Sequence, residues 1–117
     1  MADQRFRPHA HIRRRVDFQA AYDTGRKMSG RHLLVFSLAR PGQATRLGIA
    51  ASRKVGDAVE RNRAKRLVRE LFRRHPVPPG FDIVVVPRRT LLDASFSSLE
   101  AEYVATLGRL RPAAGRA

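Results

Sequence analysis

Between Arg53 and Arg74 the chain sets nine basic residues against three acidic ones. The basic set is Arg53, Lys54, Arg61, Arg63, Lys65, Arg66, Arg69, Arg73 and Arg74; the acids are Asp57, Glu60 and Glu70. Their spacing matters more than their number. Asn62, Arg66, Arg69 and Arg73 recur at i, i+4, i+7 and i+11, which is one side of a helix. Ala64, Leu67, Val68, Leu71 and Phe72 recur at i, i+3, i+4, i+7 and i+8, a single apolar stripe. One side can anchor the helix while the other presents guanidinium groups. Like charges four residues apart destabilise an isolated helix by about 0.2–0.5 kcal/mol per pair. Such a helix suits a polyanion that relieves the repulsion, and guanidinium forks match phosphate oxygens bidentately. The chemistry on offer is phosphate recognition.

Bond-breaking chemistry finds little support. A metal-dependent nuclease needs clustered carboxylates, or histidine with carboxylate. The ten acidic residues are scattered, and none stands at ligand spacing with a histidine. His9 and His11 lie in the polar N-terminal stretch and read as surface residues. Ser52 has no visible triad partners. With no cysteine, thiol nucleophiles, disulfides, zinc knuckles and iron–sulfur sites are excluded. The 117 residues carry 24 Lys and Arg, 21 of them Arg, against 10 Asp and Glu, for a net charge of +14. That balance attracts polyanions, nucleic acid first and an anionic membrane surface second. No apolar run approaches the ~20 residues that cross a bilayer. Met1 to Arg15 lacks the apolar centre of a signal peptide. The expectation is a cytoplasmic, single-domain chain over residues 1–117, with an ordered core at about 13–111 and basic tails at 1–12 and 112–117.

The elements that must position the basic helix follow from periodicity. Val16 to Thr24 reads as a short helix stopped by Gly25, a residue suited to a left-handed C-terminal cap. It places Phe18, Ala21 and Tyr22 on one face, and Val16 and Ala20 on another. Arg26–Gly30 reads as a short strand and His32–Ala39 as a longer one. Arg46–Val55 alternates: Leu47, Ile49 and Ala51 point one way, and Gly48, Ala50, Ser52 and Lys54 the other. A face of such small residues lets another chain segment approach closely. Asp57 and Glu60 form a D-x-x-E capping box for the basic helix, which runs from about Ala58 to Arg74. Phe81–Pro87 is a continuous apolar run, a strand buried on both faces, with Pro87 at its end. Ser97 and Glu100 offer a second capping box, and Phe96, Leu99, Tyr103, Leu107 and Leu110 follow at helical spacing. The fold class is α+β, helices packed on a small sheet.

Gly56 to Arg73, GDAVERNRAKRLVRELFR, resembles the signature of the bacterial ribonuclease P protein subunit. The pattern R-N-R-x-K-R-x-x-R falls on Arg61, Asn62, Arg63, Lys65, Arg66 and Arg69. Leu47-Gly48, Ser52 to Gly56, Asp17-Phe18 with Tyr22 and Gly25, and Ile83 to Val86 with Arg88 resemble its flanks. Together they cover about Arg13 to Leu110. Asp57 and Pro87 depart from the family's usual residues.

The resemblance implies an α-β-β-β-α-β-α sandwich with a small mixed sheet and a left-handed crossover, against the usual right-handed rule. It implies a protein that binds the catalytic RNA subunit of ribonuclease P and the 5′ leader of precursor tRNA, assisting leader removal. Carried over, Arg61, Asn62, Arg63, Lys65, Arg66, Arg69 and Arg73 would bind the RNA subunit. Phe18, Tyr22, Ser52, Arg53, Lys54 and Arg88 would bind the leader, since aromatic stacking in a basic groove holds a single strand with little sequence preference. No catalytic or metal-ligating residue is expected. Mg2+ would serve the holoenzyme, held mainly by RNA, and the protein alone would be an inactive monomer with no membrane partner. The alternatives are a structural RNA-binding protein, such as a ribosomal protein, and a helix-turn-helix DNA-binding module. The strands and the lack of a second helix beside the basic one argue against the latter.

Overall fold

The two segments that are apolar at nearly every position, Leu33–Ala39 and Phe81–Pro87, become the two inner strands of a four-stranded sheet. The shorter, more basic segments Arg26–Ser29 and Arg46–Ile49 form its edges. The structure, a computed structural model, describes residues 11–110. In chain order the elements are α1 (Arg15–Thr24), β1 (Arg26–Ser29), β2 (Leu33–Ala39), β3 (Arg46–Ile49), α2 (Ala58–Arg74), β4 (Phe81–Pro87) and α3 (Phe96–Leu107). A 3-10 turn at Arg89–Asp93 joins β4 to α3. The strands lie in the order β1-β2-β4-β3, antiparallel except for the β3–β4 pair, which α2 connects. The expected α-β-β-β-α-β-α succession is present.

The pleat divides the apolar residues between two layers. Met28, Leu33, Val35, Leu47, Ile83 and Val85 point to one face. There they pack with Ala64, Val68 and Leu71 of α2 and Leu99 and Tyr103 of α3. The apolar stripes expected of both helices thus face the core, with Leu67, Phe72, Phe96 and Leu107 half-buried against it and Leu110 beyond the end of α3. On the opposite face Val84 packs with Ile12 and Ala21, flanked by Phe18, Phe36, Leu38 and Val86.

The basic helix opens as its sequence dictates. The Asp57 side chain accepts from the Glu60 amide, and Glu60 Oε1 accepts from the Asp57 amide, both at 2.9 Å. Asp57, a departure from the family pattern, is therefore the N-cap, where the helix dipole favours its charge.

Four local expectations are corrected. Gly25 is extended, with φ −76° and ψ 161°, not left-handed. Glycine fits there because its N–H donates to the Ala21 carbonyl, which any Cβ would strike. The strand expected over 46–55 ends at Ile49, and residues 53–55 form a turn that tucks Val55 into the core. Helix α3 is capped by Ser95, whose Oγ accepts from the Ser98 amide at 3.2 Å, and Glu100 instead pairs with His75. His11 and Ile12, expected in the N-terminal tail, belong to the fold. His11 bridges to Leu47 of β3, the Ile12 amide donates to the Leu47 carbonyl at 2.9 Å, and the Ile12 side chain is buried. The remainder of the expected tails lies outside the described residues.

One charged group is buried under α1. Asp82 is 2% exposed and accepts from Arg46 Nε at 2.9 Å and Nη2 at 2.7 Å, and from Arg40 at 3.2 Å. Arg46 Nη1 also reaches Asp17 of α1 at 3.6 Å. A buried carboxylate needs such partners, and here they tie α1 to the sheet.

Candidate RNA-binding surfaces

With its apolar stripe against the sheet, α2 turns Asn62, Arg63, Arg66, Arg69 and Arg73 to solvent, while Arg61 and Lys65 are half-buried. The charge is not uniform along this face. Arg61 donates to the Gly56 carbonyl at 3.0 Å. At the C-terminal end Glu70 accepts two hydrogen bonds from Arg73, at 3.1 and 2.5 Å, and one from Arg74 at 2.7 Å. Those bonds, Arg73 first, hold the Glu70 carboxyl down to about 2. Arg74 leans over the Phe96 ring, 4.8 Å from its centroid. The last turn of α2 is therefore partly neutralised, whereas Arg63, Lys65, Arg66 and Arg69 form no ion pair among the described residues.

Lys65 and Arg69 border a cavity of about 150 Å3 at the outer edge of β3, shared with His11, Ile12, Phe18, Leu47 and Ile49. His11, expected on a surface tail, stands instead beside the basic helix. Burial lowers its pKa below the usual histidine value, and the charges of Arg13 and Arg69 lower it further.

Helix α1 lies across the other face of the sheet. Asp17 meets Arg46, Phe18 lies on Gly48, and the Tyr22 ring meets Phe36 edge-on, with centroids 5.0 Å apart and planes at 73°. A Cβ on Gly48 would stand 2.8 Å from the Phe18 ring, so the glycine lets the ring seat on the sheet. Along the same face the register pairs Phe36 with Lys27 and Val84, and Leu34 with Ser29 and Val86. Leu34, Phe36 and Val86 are half-buried, whereas Lys27 and Ser29 are exposed.

The parallel pairing brings the remaining candidates out at one end of the sheet. The Ala50 amide continues the ladder onto the Val85 carbonyl at 2.9 Å, so β3 and β4 leave the sheet together. Ser52, Arg53 and Lys54 follow one strand and Arg88 the other, all four exposed. Arg88 is held by its own bonds, Nε to the Gly30 carbonyl at 3.2 Å and Nη2 to Ser29 Oγ at 2.8 Å. The candidates thus form three groups: Arg61 to Arg73 on α2, Phe18 and Tyr22 on α1 against one sheet face, and Ser52 to Lys54 and Arg88 in the segments that follow β3 and β4. Phe18 sits where the first two approach.

Reading the sequence missed Lys27, Ser29, Leu34, Phe36, Val86 and His11. The apolar run of β2 contained Leu34 and Phe36. Only the register shows that they share a face with α1. Among the described residues, no three His, Asp or Glu side chains group as a metal site. No helix there is long and apolar enough to cross a membrane.

The family model for ribonuclease P matches residues 6–111. The chain belongs to the ribonuclease P protein family. It is 51% identical over 86 residues to the ribonuclease P protein component of Oleidesulfovibrio alaskensis, covering 70% of this chain and 69% of that one. To the component from Desulfovibrio desulfuricans it is 46% identical over 105 residues, covering 85% and 81%. Its fold superposes on the ribonuclease P protein of Thermotoga maritima with a TM-score of 0.78 at 34% identity, over 86% of this chain and 97% of that one. A Staphylococcus aureus ribonuclease P protein mutant with defective mRNA degradation activity gives 0.77 at 30% identity, over 86% of each chain.

Proposed function

We propose that this chain binds the catalytic RNA of ribonuclease P and the 5′ leader of precursor tRNA, assisting endonucleolytic removal of the leader. The observation that carries the reading is the one-sided α2. Its apolar stripe packs on the core and Asn62, Arg63, Arg66 and Arg69 are presented together. Together with Arg61, Lys65 and Arg73 they contact phosphates of the RNA subunit. Phe18 and Tyr22 offer rings to unpaired leader bases, and Ser52, Arg53, Lys54 and Arg88 hold the leader backbone. The half-buried Leu34, Phe36 and Val86 extend the apolar floor for the same strand. Recognition by stacking and backbone charge suits a subunit whose substrates share a shape but not a leader sequence.

The catalytic Mg2+ ions are held mainly by RNA, a division of labour consistent with acids that serve elsewhere. Asp82 neutralises two arginines, Glu70 two more, and Glu60 closes a cap. The protein is cytoplasmic and monomeric without RNA, and does not cut RNA by itself.

The test is reconstitution with a bacterial ribonuclease P RNA at low magnesium, scoring precursor tRNA cleavage at the mature 5′ end. Added protein raises the cleavage rate, and RNA-free protein leaves precursor intact. The mRNA degradation activity attached to the Staphylococcus aureus protein makes an mRNA the second substrate for the RNA-free arm. Cleavage of either substrate by protein free of contaminating nuclease would overturn the non-catalytic part of the reading.

A further inference from the structure

The turn between β1 and β2 encloses a carboxylate from a distant element. Glu102, in the middle of α3, accepts from the His32 amide at 2.9 and 3.1 Å through its two oxygens. It also accepts from the Leu33 amide at 2.9 Å. Successive backbone N–H groups converging on one anion form a nest, and here the anion is part of the protein. The turn is closed tightly over it. The Gly30 amide donates to the Leu33 carbonyl at 2.8 Å, and a Cβ on Gly30 would strike Glu102 Oε2.

The opposite side of that turn holds Arg88. Its guanidinium donates to the Gly30 carbonyl and to Ser29 Oγ, and its amide donates to the His32 carbonyl at 2.9 Å. His32 Nδ1 lies 2.8 Å from Thr90 Oγ1, which fastens the turn to the segment that carries Arg88. Two of the five guanidinium N–H groups are used in these bonds, and the side chain is exposed. An arginine oriented in this way still offers N–H groups to a phosphate, with less rotamer freedom to lose on binding.

We infer that Glu102 is a positioning residue for leader binding: its carboxylate fixes the Gly30–Leu33 turn, and the turn fixes the Arg88 guanidinium. The inference rests on the assignment of Arg88 to the leader. Without the carboxylate, two amides lose their acceptor, the turn relaxes, and Arg88 loses its seats on Gly30 and Ser29. Glu102 itself touches no RNA.

The test uses holoenzyme reconstituted with ribonuclease P RNA. It measures the affinity gained from the leader, as the ratio of dissociation constants for mature tRNA and leader-bearing precursor. Arg88→Ala and Glu102→Ala each reduce that gain by about threefold, the scale of one partly exposed charge contact. Binding of mature tRNA stays unchanged, and the double variant loses no more than either single one. Amide exchange at His32 and Leu33 accelerates in Glu102→Ala. Glu102→Gln keeps one acceptor oxygen and gives intermediate values; it carries the same comparison if the alanine variant does not fold. A merely structural Glu102 would weaken mature tRNA and precursor alike. Losses that multiply in the double variant, or a full leader gain in Glu102→Ala beside a reduced one in Arg88→Ala, overturn the inference alone. An inert Arg88→Ala overturns the assignment of Arg88, and the inference with it.

Discussion

At the residue scale, the ring of Phe18 has two roles that a mutation separates. It packs with the small core under α1, and it borders the cavity shared with Lys65 and Arg69. Phe18→Ala should weaken binding of leader-bearing precursor by ~1–3 kcal/mol, the worth of one base stack, and spare mature tRNA. Equal losses for the two ligands in a binding titration would remove Phe18 from the leader site. Glu70 makes the opposite prediction. It accepts hydrogen bonds from Arg73 and Arg74 and stays ionised down to a pH of about 2. Glu70→Gln removes a negative charge from the basic helix and releases Arg73. Affinity for the catalytic RNA should rise by about threefold, with a steeper salt dependence. Unchanged affinity would show that the last turn of α2 stands away from the RNA. The basic series was legible because helical periodicity is local. The neutralisation of Arg73 and Arg74 was legible in principle from Glu70 at i−3 and i−4. The seat of Phe18 on Gly48 depends on two segments meeting, which no local pattern encodes.

At the element scale, α1 is placed by a buried charge network more than by its own helix signals. Its N-cap, Arg14, makes no side-chain capping bond, and its single fully buried side chain is Ala21. What ties it down is Asp82, through Arg46 to Asp17. Asp82→Ala leaves Arg46, only 21% exposed, without its main partner. The expected cost is about 3 kcal/mol in unfolding free energy, with a smaller loss for Asp82→Asn, which keeps one acceptor. Urea denaturation of the two variants measures this, and a cost below about 1 kcal/mol would show that α1 is held by packing alone. The inner strands and the cap of α2 were readable because composition or a four-residue motif specifies them. Asp82 was hidden inside an apolar run, where its register opposite Arg46 gives it meaning. The start of α3 was misread because Ser95 and Ser97 both precede a helix-forming stretch, and only the backbone shows which hydroxyl meets an orphan amide. Glu102 had no signal at all, since its partners are backbone groups some seventy residues away.

At the scale of the whole molecule, the net charge of +14 acts in two opposite directions with salt. Without a polyanion the positive groups repel one another in the compact state. The screening length falls from about 10 Å at 0.1 M ionic strength to about 3 Å at 1 M, so added salt should raise the melting temperature of the protein alone. With RNA the same groups displace counterions, and affinity should fall with salt in proportion to the phosphates contacted, at a log–log slope of roughly 0.7 to 0.9 per phosphate. The two trends come from one charge set, and single variants separate them. Arg66→Ala, on the part of α2 where Arg63, Arg66 and Arg69 are exposed, removes one repelling charge and, on the proposed function, one phosphate contact. It should lower the slope of RNA binding by about 1 and leave the protein slightly more stable at low salt. Thermal melts of the free protein and binding titrations across the same salt series give both numbers. A variant that keeps the full slope while losing affinity would place Arg66 in the fold's own packing instead of on phosphate. One that changes neither would move the RNA contact off this face of α2.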